Sequence, residues 1–238
     1  MKKIMVCIIF LVLFSGSMQT RASYIIPDGE VKVTTRDGAG TKINGNVPVA
    51  TDKDGTYVQF DGNGNNYIQL EPLPAMDIAG EGLHIVFKAK WEAYNSWSRV
   101  FDCGQGPDQF NIFISNHGTS PNLAIGMNPG VTSKDMNAYV NNVLGLNTLQ
   151  SWDIRISANN GNNTVTAVQS SPVSATYTPA KTGSGNSLDT VERTRCYIGK
   201  SNWSADTPFK GKIYYIRVET GKTNALLFEF DAAKMPQG

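Results

Sequence analysis

The 238-residue chain has few charged residues and few histidines, and each shortage excludes a class of function. Charged residues make up 17% of the chain and the formal net charge is +1. It therefore lacks the surplus of clustered lysine and arginine that binding nucleic acid requires. Only two histidines occur, His84 and His117, which excludes a metal site built from several histidines. After the N-terminal region no long apolar run occurs, so we expect no membrane span.

The N-terminus has the pattern of a secretory signal peptide. Two lysines precede an apolar run over residues 4–14, and small and polar residues follow. The run is too short to span a membrane, which takes about 20 apolar residues. We therefore predict a leader over residues 1–22 that is removed on export, a single domain over residues 23–238, and a secreted or extracellular location.

Only two cysteines remain after this leader, Cys103 and Cys196, and both lie in strand-like runs. In an oxidising compartment an even pair favours a disulfide. The alternative is two buried free thiols, because a small apolar cysteine is common in protein cores. Their spacing is not that of metal ligands, so it does not support zinc.

Short apolar and aromatic runs alternate with turns rich in glycine, asparagine and aspartate along the whole chain. Over residues 83–91, five apolar residues that include Trp91 share one face, whereas His84 lies on the more polar face. This predicts a strand with one buried face, with Trp91 and Trp152 in the core and His84 at the surface. Further predicted strands cover residues 56–60, 67–70, 110–114, 123–125, 152–156, 164–168, 213–218 and 226–230.

No window has a convincing helical pattern. Residues 133–149 come nearest, but a strand followed by a loop fits them equally well. Residues 171–194 are rich in serine, threonine, glycine and proline and indicate a long loop or an excursion at a sheet edge. The strands 56–60 and 67–70 flank a turn cluster that suggests a hairpin. Strands separated by turns, with no alternation of strand and helix, predict an antiparallel sandwich or barrel.

Three segments in order resemble the laminin G-like members of the concanavalin A-like lectin/glucanase superfamily. The resemblance covers roughly residues 51–218 and implies an all-β, antiparallel jelly-roll β-sandwich. Cys103 stands where an aromatic residue is common, which fits a bridge to Cys196, and Tyr214 replaces a usual acidic residue. The segments are Phe60-Asp61-Gly62 leading to Tyr67-Ile68, residues 97–104, and residues 197–203 followed by 209–213.

Glucanases of this superfamily carry alternating carboxylates on one strand, because residues two apart point to the same face. The closest match is Glu229 and Asp231, and the third carboxylate is missing. We therefore expect no catalysis. A glycoside-cleaving enzyme of the same fold is the alternative.

Flat aromatic faces and planar polar side chains bind sugar rings. The turn regions supply Tyr94, Asn95, Trp97, Asn202 and Trp203. These residues predict a secreted, non-catalytic module that recognises carbohydrate or an extracellular protein. Core packing is the alternative role for each tryptophan, and structural or adhesive protein contacts are the alternative function.

The resemblance also implies calcium at an edge of the sandwich, with Asp61, Asp102 and Asp108 as candidate ligands. A turn-capping role for Asp61 is the alternative. Two sequons, at Asn162 and Asn202, predict glycosylation if the source is a eukaryote. A glycan on Asn202 would compete with sugar binding at that loop.

Overall fold

A computed structural model describes residues 24–25, 30–31, 34–35, 41–73, 75, 77–128, 136–157, 164–171, 175–177 and 189–235. The predicted leader and the sequon at Asn162 lie outside these residues. The regular secondary structure of the described chain is almost entirely β-strand, and every pair of neighbouring strands is antiparallel. None of its helices is long and apolar enough to cross a membrane.

Eighteen strands are described, together with a one-turn helix and a 3-10 turn. In chain order they are β1 (Tyr24–Ile25), β2 (Glu30–Val31), β3 (Thr34–Thr35), β4 (Thr41–Asn44), β5 (Pro48–Asp52), β6 (Gly55–Asp61), β7 (Tyr67–Leu70), α1 (Ile78–Glu81), β8 (Leu83–Trp91), β9 (Arg99–Gly104), β10 (Asn111–Asn116), β11 (Leu123–Asn128), β12 (Met136–Val140), β13 (Gln150–Ser157), β14 (Thr164–Ser171), β15 (Ala175–Tyr177), β16 (Arg195–Ile198), β17 (Lys210–Thr220), β18 (Leu226–Asp231) and the 3-10 turn (Ala232–Lys234).

These strands form two sheets packed face to face. In the described part of the chain the first sheet has ten strands, in the order β1-β5-β6-β17-β8-β13-β14-β15, with β18 beside β17 and β3 beside β18. The second sheet has eight, in the order β12-β11-β10-β9-β16-β7-β4-β2. This arrangement confirms the predicted all-β antiparallel jelly-roll sandwich.

The core lies between the sheets because each strand turns alternate apolar residues inward. Trp91 and Trp152 are fully buried, as predicted. The rings of Phe101 on β9 and Phe228 on β18 pack across the interface with centroids 5.2 Å apart. The large apolar side chains of the two sheets therefore form one continuous core.

The disulfide between Cys103 and Cys196 is confirmed. Cys103 on β9 and Cys196 on β16 are direct partners in the register of the second sheet. Both are buried. The bridge therefore fastens two neighbouring strands on their core-facing side.

The predicted hairpin between residues 56–60 and 67–70 is wrong. Strand β6 pairs with β5 and β17 in the first sheet, whereas β7 pairs with β4 and β16 in the second. The connecting turn passes from one sheet to the other. Each of the two strands has one apolar face. Both faces are buried when β6 lies on one side of the core and β7 on the other.

The predicted surface position of His84 is also wrong. His84 is only 8% exposed, and its Nδ1 lies 3.0 Å from Glu219 Oε2 while its Nε2 lies 3.1 Å from Asp153 Oδ1. Strands β17 and β13 flank β8 and supply these two carboxylates. Polar neighbours on adjacent strands thus bury a residue on a face that the pattern indicates to be exposed.

The two ambiguous segments contain strands. Residues 133–149 contain β12 and then a turn, so the strand-and-loop interpretation is the right one. Residues 171–194 contain β15, which pairs with β14 at the edge of the first sheet. Helix α1 is a single turn in which the Asp77 carboxylate accepts a hydrogen bond from the amide of Gly80.

Candidate functional site

The outer face of the second sheet carries a row of aromatic and polar side chains. Ile112 and Ile114 point into the core, so Phe113 between them points outward. The same alternation places Arg195 and Tyr197 on the outer face of β16, because Cys196 and Ile198 are buried. Neighbouring strands continue the row with Asn137, Asn128, Arg99, Asp102 and Tyr67.

Two loops add tryptophans above this row. Trp97 lies just before β9 and Trp203 lies after β16, and both rings contact the same guanidinium. The guanidinium carbon of Arg99 lies 5.5 Å from the centroid of the Trp97 ring and 5.1 Å from that of Trp203. The resulting pocket of about 200 Å³ is lined by Trp97, Arg99, Asp108, Phe113, Asn128, Asn137, Trp203 and Asp206.

Arg99 is the central cation of this pocket. It is 4% exposed, and it donates to Asp206 Oδ2 at 2.9 Å and to Ser115 Oγ at 2.9 Å. Burial lowers the pKa of Arg99, an effect that Asp102 and Asp206 oppose. Burial raises the pKa of Asp206, although Arg99 and a hydrogen bond from Ser201 oppose the rise. Burial thus disfavours the charged form of each group, and the direct contact of opposite charges favours it.

Asp102 anchors the loop that carries Trp203. Its carboxylate is fully buried and accepts hydrogen bonds from the Asn111 amide at 2.9 Å and from Asn202 at 2.9 and 3.0 Å, through the backbone and the side chain. A second hydrogen bond from the Asn202 side chain goes to the carbonyl of Arg195. Asn202 is thus a bracing residue as well as part of a pocket wall.

The three aspartates considered for calcium have separate environments. Asp61 accepts hydrogen bonds from the Asn63 amide at 2.8 Å and from Asn66 Nδ2 at 2.9 Å, which is a turn-capping role. Asp102 is buried in the anchor described above, and Asp108 is exposed in the pocket wall. Within the described residues, no group of three or more histidine, cysteine, aspartate and glutamate side chains could hold a metal ion.

The five predicted ligand-binding residues divide into two sets. Trp97 and Trp203 line one pocket, and Asn202 and Trp203 line the next. Tyr94 instead donates its hydroxyl to the carbonyl of Leu144, and Asn95 donates Nδ2 to the carbonyl of Pro208. The structure therefore places Tyr94 and Asn95 as braces between loops.

A second, larger pocket adjoins the first. It measures about 520 Å³, and Trp203 and Asp206 belong to both pockets. The two adjoining pockets together form one groove. The sequence analysis did not identify five of its residues: Arg99, Asn128, Arg195, Tyr197 and Lys200. Strand alternation could have found Arg195 and Tyr197, which flank the buried Cys196. The wall consists of Gly64, Arg195, Tyr197, Lys200, Ser201, Asn202, Trp203, Ser204, Asp206 and Pro208.

Two residues of the first pocket have a strained backbone. Trp97 has a φ of 51° and Asp108 a φ of 56°. Side chains other than glycine rarely adopt this left-handed conformation, which is disfavoured most for bulky residues. The amide of Trp97 donates to the carbonyl of Gly118 at 3.0 Å, which fixes the turn. Such strain is commonest at functional sites, where surrounding contacts maintain it.

One residue in the wall of each pocket has a buried side-chain oxygen without a hydrogen-bond partner. These oxygens are Oδ1 of Asn128 in the first pocket and Oδ1 of Asn202 in the second. Buried polar atoms are nearly always satisfied, so each is an unfavourable feature of the protein without ligand. Both oxygens are shielded from solvent, so a ligand in either pocket reaches them only if the side chain rotates.

The acidic pair Glu229 and Asp231 lies in the first sheet, away from this groove. Glu229 accepts hydrogen bonds from Lys234 at 2.6 Å, Tyr215 at 2.9 Å and Arg217 at 3.2 Å. The hydrogen bond from Lys234 has the largest effect, and together these contacts lower the pKa of Glu229 despite partial burial. Asp231 caps the 3-10 turn through the amide of Ala233. Both carboxylates are engaged in ways that stabilise the end of the chain.

No protein-family model and no curated protein matches the chain. Solved structures do match. The enzymatically active domain of tailspike protein 2 of bacteriophage CBA120 is 8% identical, with a TM-score of 0.51 over 92% of this chain and 34% of that chain. The heptameric SAP-like pentraxin of Limulus polyphemus is 13% identical, with a TM-score of 0.45 over 68% of this chain and 74% of that chain.

A third structure is full-length tailspike protein 2 from Escherichia coli O157:H7 bacteriophage CAB120. It is 9% identical, with a TM-score of 0.48 over 88% of this chain and 27% of that chain. The chain thus spans about a third or less of either tailspike. At these identities the likeness concerns the fold alone.

Proposed function

We propose that the protein is an exported, non-catalytic carbohydrate-binding module with a laminin G-like sandwich. One observation carries this proposal. Trp97 and Trp203 both contact the buried guanidinium of Arg99, above a polar sheet face. Indole faces stack against the apolar C–H faces of sugar rings. Arg99, Asn128 and Asp108 offer donors and acceptors for the hydroxyls at the ring edge.

Two features support export. The N-terminal pattern predicts a leader over residues 1–22, which leaves one domain over residues 23–238. The Cys103–Cys196 disulfide suits an oxidising compartment.

The sequon at Asn202 has its side-chain nitrogen engaged by Asp102 and by the carbonyl of Arg195. A glycan on that nitrogen would replace one of these hydrogen bonds, so the folded loop favours an unmodified Asn202.

A glycan array tests the proposal, using the purified chain and the variants Trp97→Ala and Trp203→Ala. Each variant should weaken binding about tenfold or more, because stacking and burial are both lost. Trp97→Phe should retain part of the binding, since a flat ring remains. Tyr57→Ala is the matched control, because Tyr57 lies on β6 in the other sheet.

Loss of binding in the tryptophan variants alone, with unchanged melting temperatures, supports the proposal. An array on which no glycan binds would contradict it and favour the alternative of a module that contacts proteins. The array is run with calcium and with chelator. A change in glycan binding or in melting temperature on chelation would show that the protein binds a metal ion. No change in either would contradict the calcium hypothesis.

A glycoside-cleaving enzyme is the second candidate, because Asp108 and Asp206 line the same pocket. Burial raises the pKa of Asp206, which favours a carboxyl that can donate a proton. The arginine bound to Asp206 weighs against that role. Release of reducing ends from a bound glycan, abolished in Asp206→Asn, would favour the enzyme. A bound glycan that stays intact favours the binding module.

A further inference from the structure

We propose that the larger pocket, beside Trp203, is an acidic-sugar subsite that binds the carboxylate or sulfate of a glycan. This inference rests on the proposed function and names its ligand class: an oligosaccharide with an acidic residue next to a neutral one. The observations that carry it are the charges of the wall, the aromatic rings that hold Lys200, and the continuity of the two pockets.

Lys200 is held in the wall by aromatic rings. Its Nζ lies 3.9 Å from the centroid of the Tyr67 ring and 5.4 Å from that of Tyr197. Ring faces attract a cation without neutralising it. Within the described parts of the chain, no ion pair involves Lys200 or Arg195. The ammonium is thus positioned and retains its charge for an incoming anion.

Arg195 adds a second cation to the same pocket. It lies on β16 two residues before Tyr197, and alternation turns both to the outer face. Arg195 is exposed and lines the larger pocket. A guanidinium binds a carboxylate or sulfate through two parallel hydrogen bonds, which a single ammonium cannot do.

The acidic group in the wall does not cancel these charges. Asp206 is bound to Arg99 at 2.9 Å and accepts a hydrogen bond from Ser201 Oγ at 2.6 Å. Arg99 also lies 3.6 Å from the buried Asp102, so it offsets one of these two negative charges. Lys200 and Arg195 together outweigh the other. The larger pocket keeps a local positive charge, although the whole chain is close to neutral.

The neighbouring tryptophan pocket argues for a sugar rather than a free anion. Trp203 lines both pockets, and an indole ring can stack on the face of a sugar ring. A free sulfate or carboxylate ion has no such apolar face. Asn202 itself is fixed in the wall, because its Nδ2 donates to Asp102 and to the carbonyl of Arg195.

Shared walls fix the order of the two subsites. Trp203 and Asp206 line both pockets. A neutral ring in the smaller pocket, against Trp203, would therefore continue directly into the space next to Lys200. The ligand that fits both pockets has at least two rings, with the acidic ring on the Lys200 side.

The test uses matched pairs of oligosaccharides: tetragalacturonate, a glucuronate-containing and a sulfated oligosaccharide, each with its uncharged counterpart. Titration calorimetry compares the purified chain with Lys200→Gln and Arg195→Gln. We expect at least one acidic form to bind about tenfold more tightly than its counterpart, and each variant to remove most of that difference. The preference should also shrink at high salt, because the cations are solvent-accessible. Lys53→Gln is the control, since its side chain is 87% exposed and carries the same charge.

The outcomes separate the two proposals. Neutral binding that depends on Trp97 and Trp203 but shows no acidic preference would overturn the subsite and leave the carbohydrate module intact. Binding of no oligosaccharide would overturn both. Free sulfate that competes as well as the acidic oligosaccharide would overturn the sugar assignment and leave only an anion site. An acidic preference that is lost in Lys200→Gln and retained in Lys53→Gln supports the subsite.

Discussion

The guanidinium carbon of Arg99 lies 3.8 Å from the centroid of the Phe113 ring. Arg99 is thus stacked on the floor of the groove while it donates to Asp206 in the loop above. This one side chain connects β9, β10 and the loop that carries Trp203. The shape of the candidate site therefore depends on a buried ion pair as well as on aromatic packing.

Arg99→Met should destabilise the protein by about 3 kcal/mol, because it leaves Asp206 and Asp102 as buried carboxylates without their cation. Urea denaturation measures this loss. The double variant Arg99→Met with Asp206→Asn should recover part of it, since one uncompensated charge is removed. A double variant no more stable than the single one would show that stacking on Phe113, and not charge, makes the main contribution.

Asn128→Leu should raise stability and weaken glycan binding. The buried Oδ1 of Asn128 has no partner, and such an acceptor costs about 1–3 kcal/mol in the free protein. An apolar side chain of similar shape removes that cost and also removes a polar group from the wall of the first pocket. Thermal melting and titration with the best glycan of the array check the two effects. Unchanged affinity would mean that Asn128 does not contact the ligand.

Gly126→Ala should disturb the groove floor. A Cβ at this position would lie 1.9 Å from the Phe113 ring, so the ring on which Arg99 stacks would have to move. We expect a loss of stability of about 1–3 kcal/mol, typical of overpacking, together with weaker binding. Gly64→Ala is the matched control for stability, because its nearest neighbour is 3.5 Å away. Equal melting temperatures for the two variants would contradict the prediction.

Replacing both Cys103 and Cys196 by alanine should cost about 4 kcal/mol, because the bridge closes a loop with a sequence separation of 93. The expected readout is a lower urea midpoint than that of the oxidised protein. Reductant should lower the midpoint of the unaltered chain and leave that of the variant unchanged. A midpoint unaffected by reductant would mean that the bridge does not contribute to stability.

Stability should fall in strong acid through Asp52. Burial by itself would raise the pKa of Asp52, but hydrogen bonds from Lys90, the Asp54 amide, Tyr214 and Lys212 outweigh it and hold the pKa well below the ordinary 3.8. The folded state therefore binds a proton at Asp52 less readily than the unfolded state. Its contribution is present above about pH 4 and is lost as the pH falls further.

The measurement for Asp52 is urea unfolding of the unaltered chain and of Asp52→Asn between pH 7 and pH 2. The stability difference between the two proteins should be largest at neutral pH and should narrow below pH 4. Asp153→Asn, at an exposed carboxylate on the same face, is the comparison variant. A difference that stays constant with pH would show that the charge of Asp52 is not what stabilises the network.

Local patterns predicted much of the fold. The strand predicted over residues 83–91 coincides with β8, and that over 67–70 coincides with β7. Both follow from a period of two, which depends only on neighbouring residues. The hairpin prediction failed because a turn pattern does not show whether the next strand stays in the same sheet or crosses the core to the other.

The candidate site was predicted only in part. Trp97 and Trp203 lie in turn-rich segments, and this position identified them as candidate sugar-binding residues. Arg99 and Lys200 were missed because their roles depend on rings that distant segments supply, Phe113 for the first and Tyr67 for the second. Tyr94 and Asn95 have the same residue types as a sugar site but contact backbone carbonyls of neighbouring loops.

The amino-acid sequence by itself determined the β-strand character and the buried faces of the long strands, because periodicity and composition are properties of neighbouring residues. It favoured a bridge between the two cysteines, and the pairing of β9 with β16 decided it. Tertiary structure alone decided that β6 and β7 belong to different sheets, that His84 is buried between two carboxylates, and that the two tryptophans meet over one arginine. These outcomes depend on strand pairing between distant segments: Asn202 and Asp102, whose hydrogen bonds anchor the groove, are 100 residues apart. Packing of both sheets against one core brings these two residues together. A pattern of neighbouring residues carries no information about contacts over such a separation.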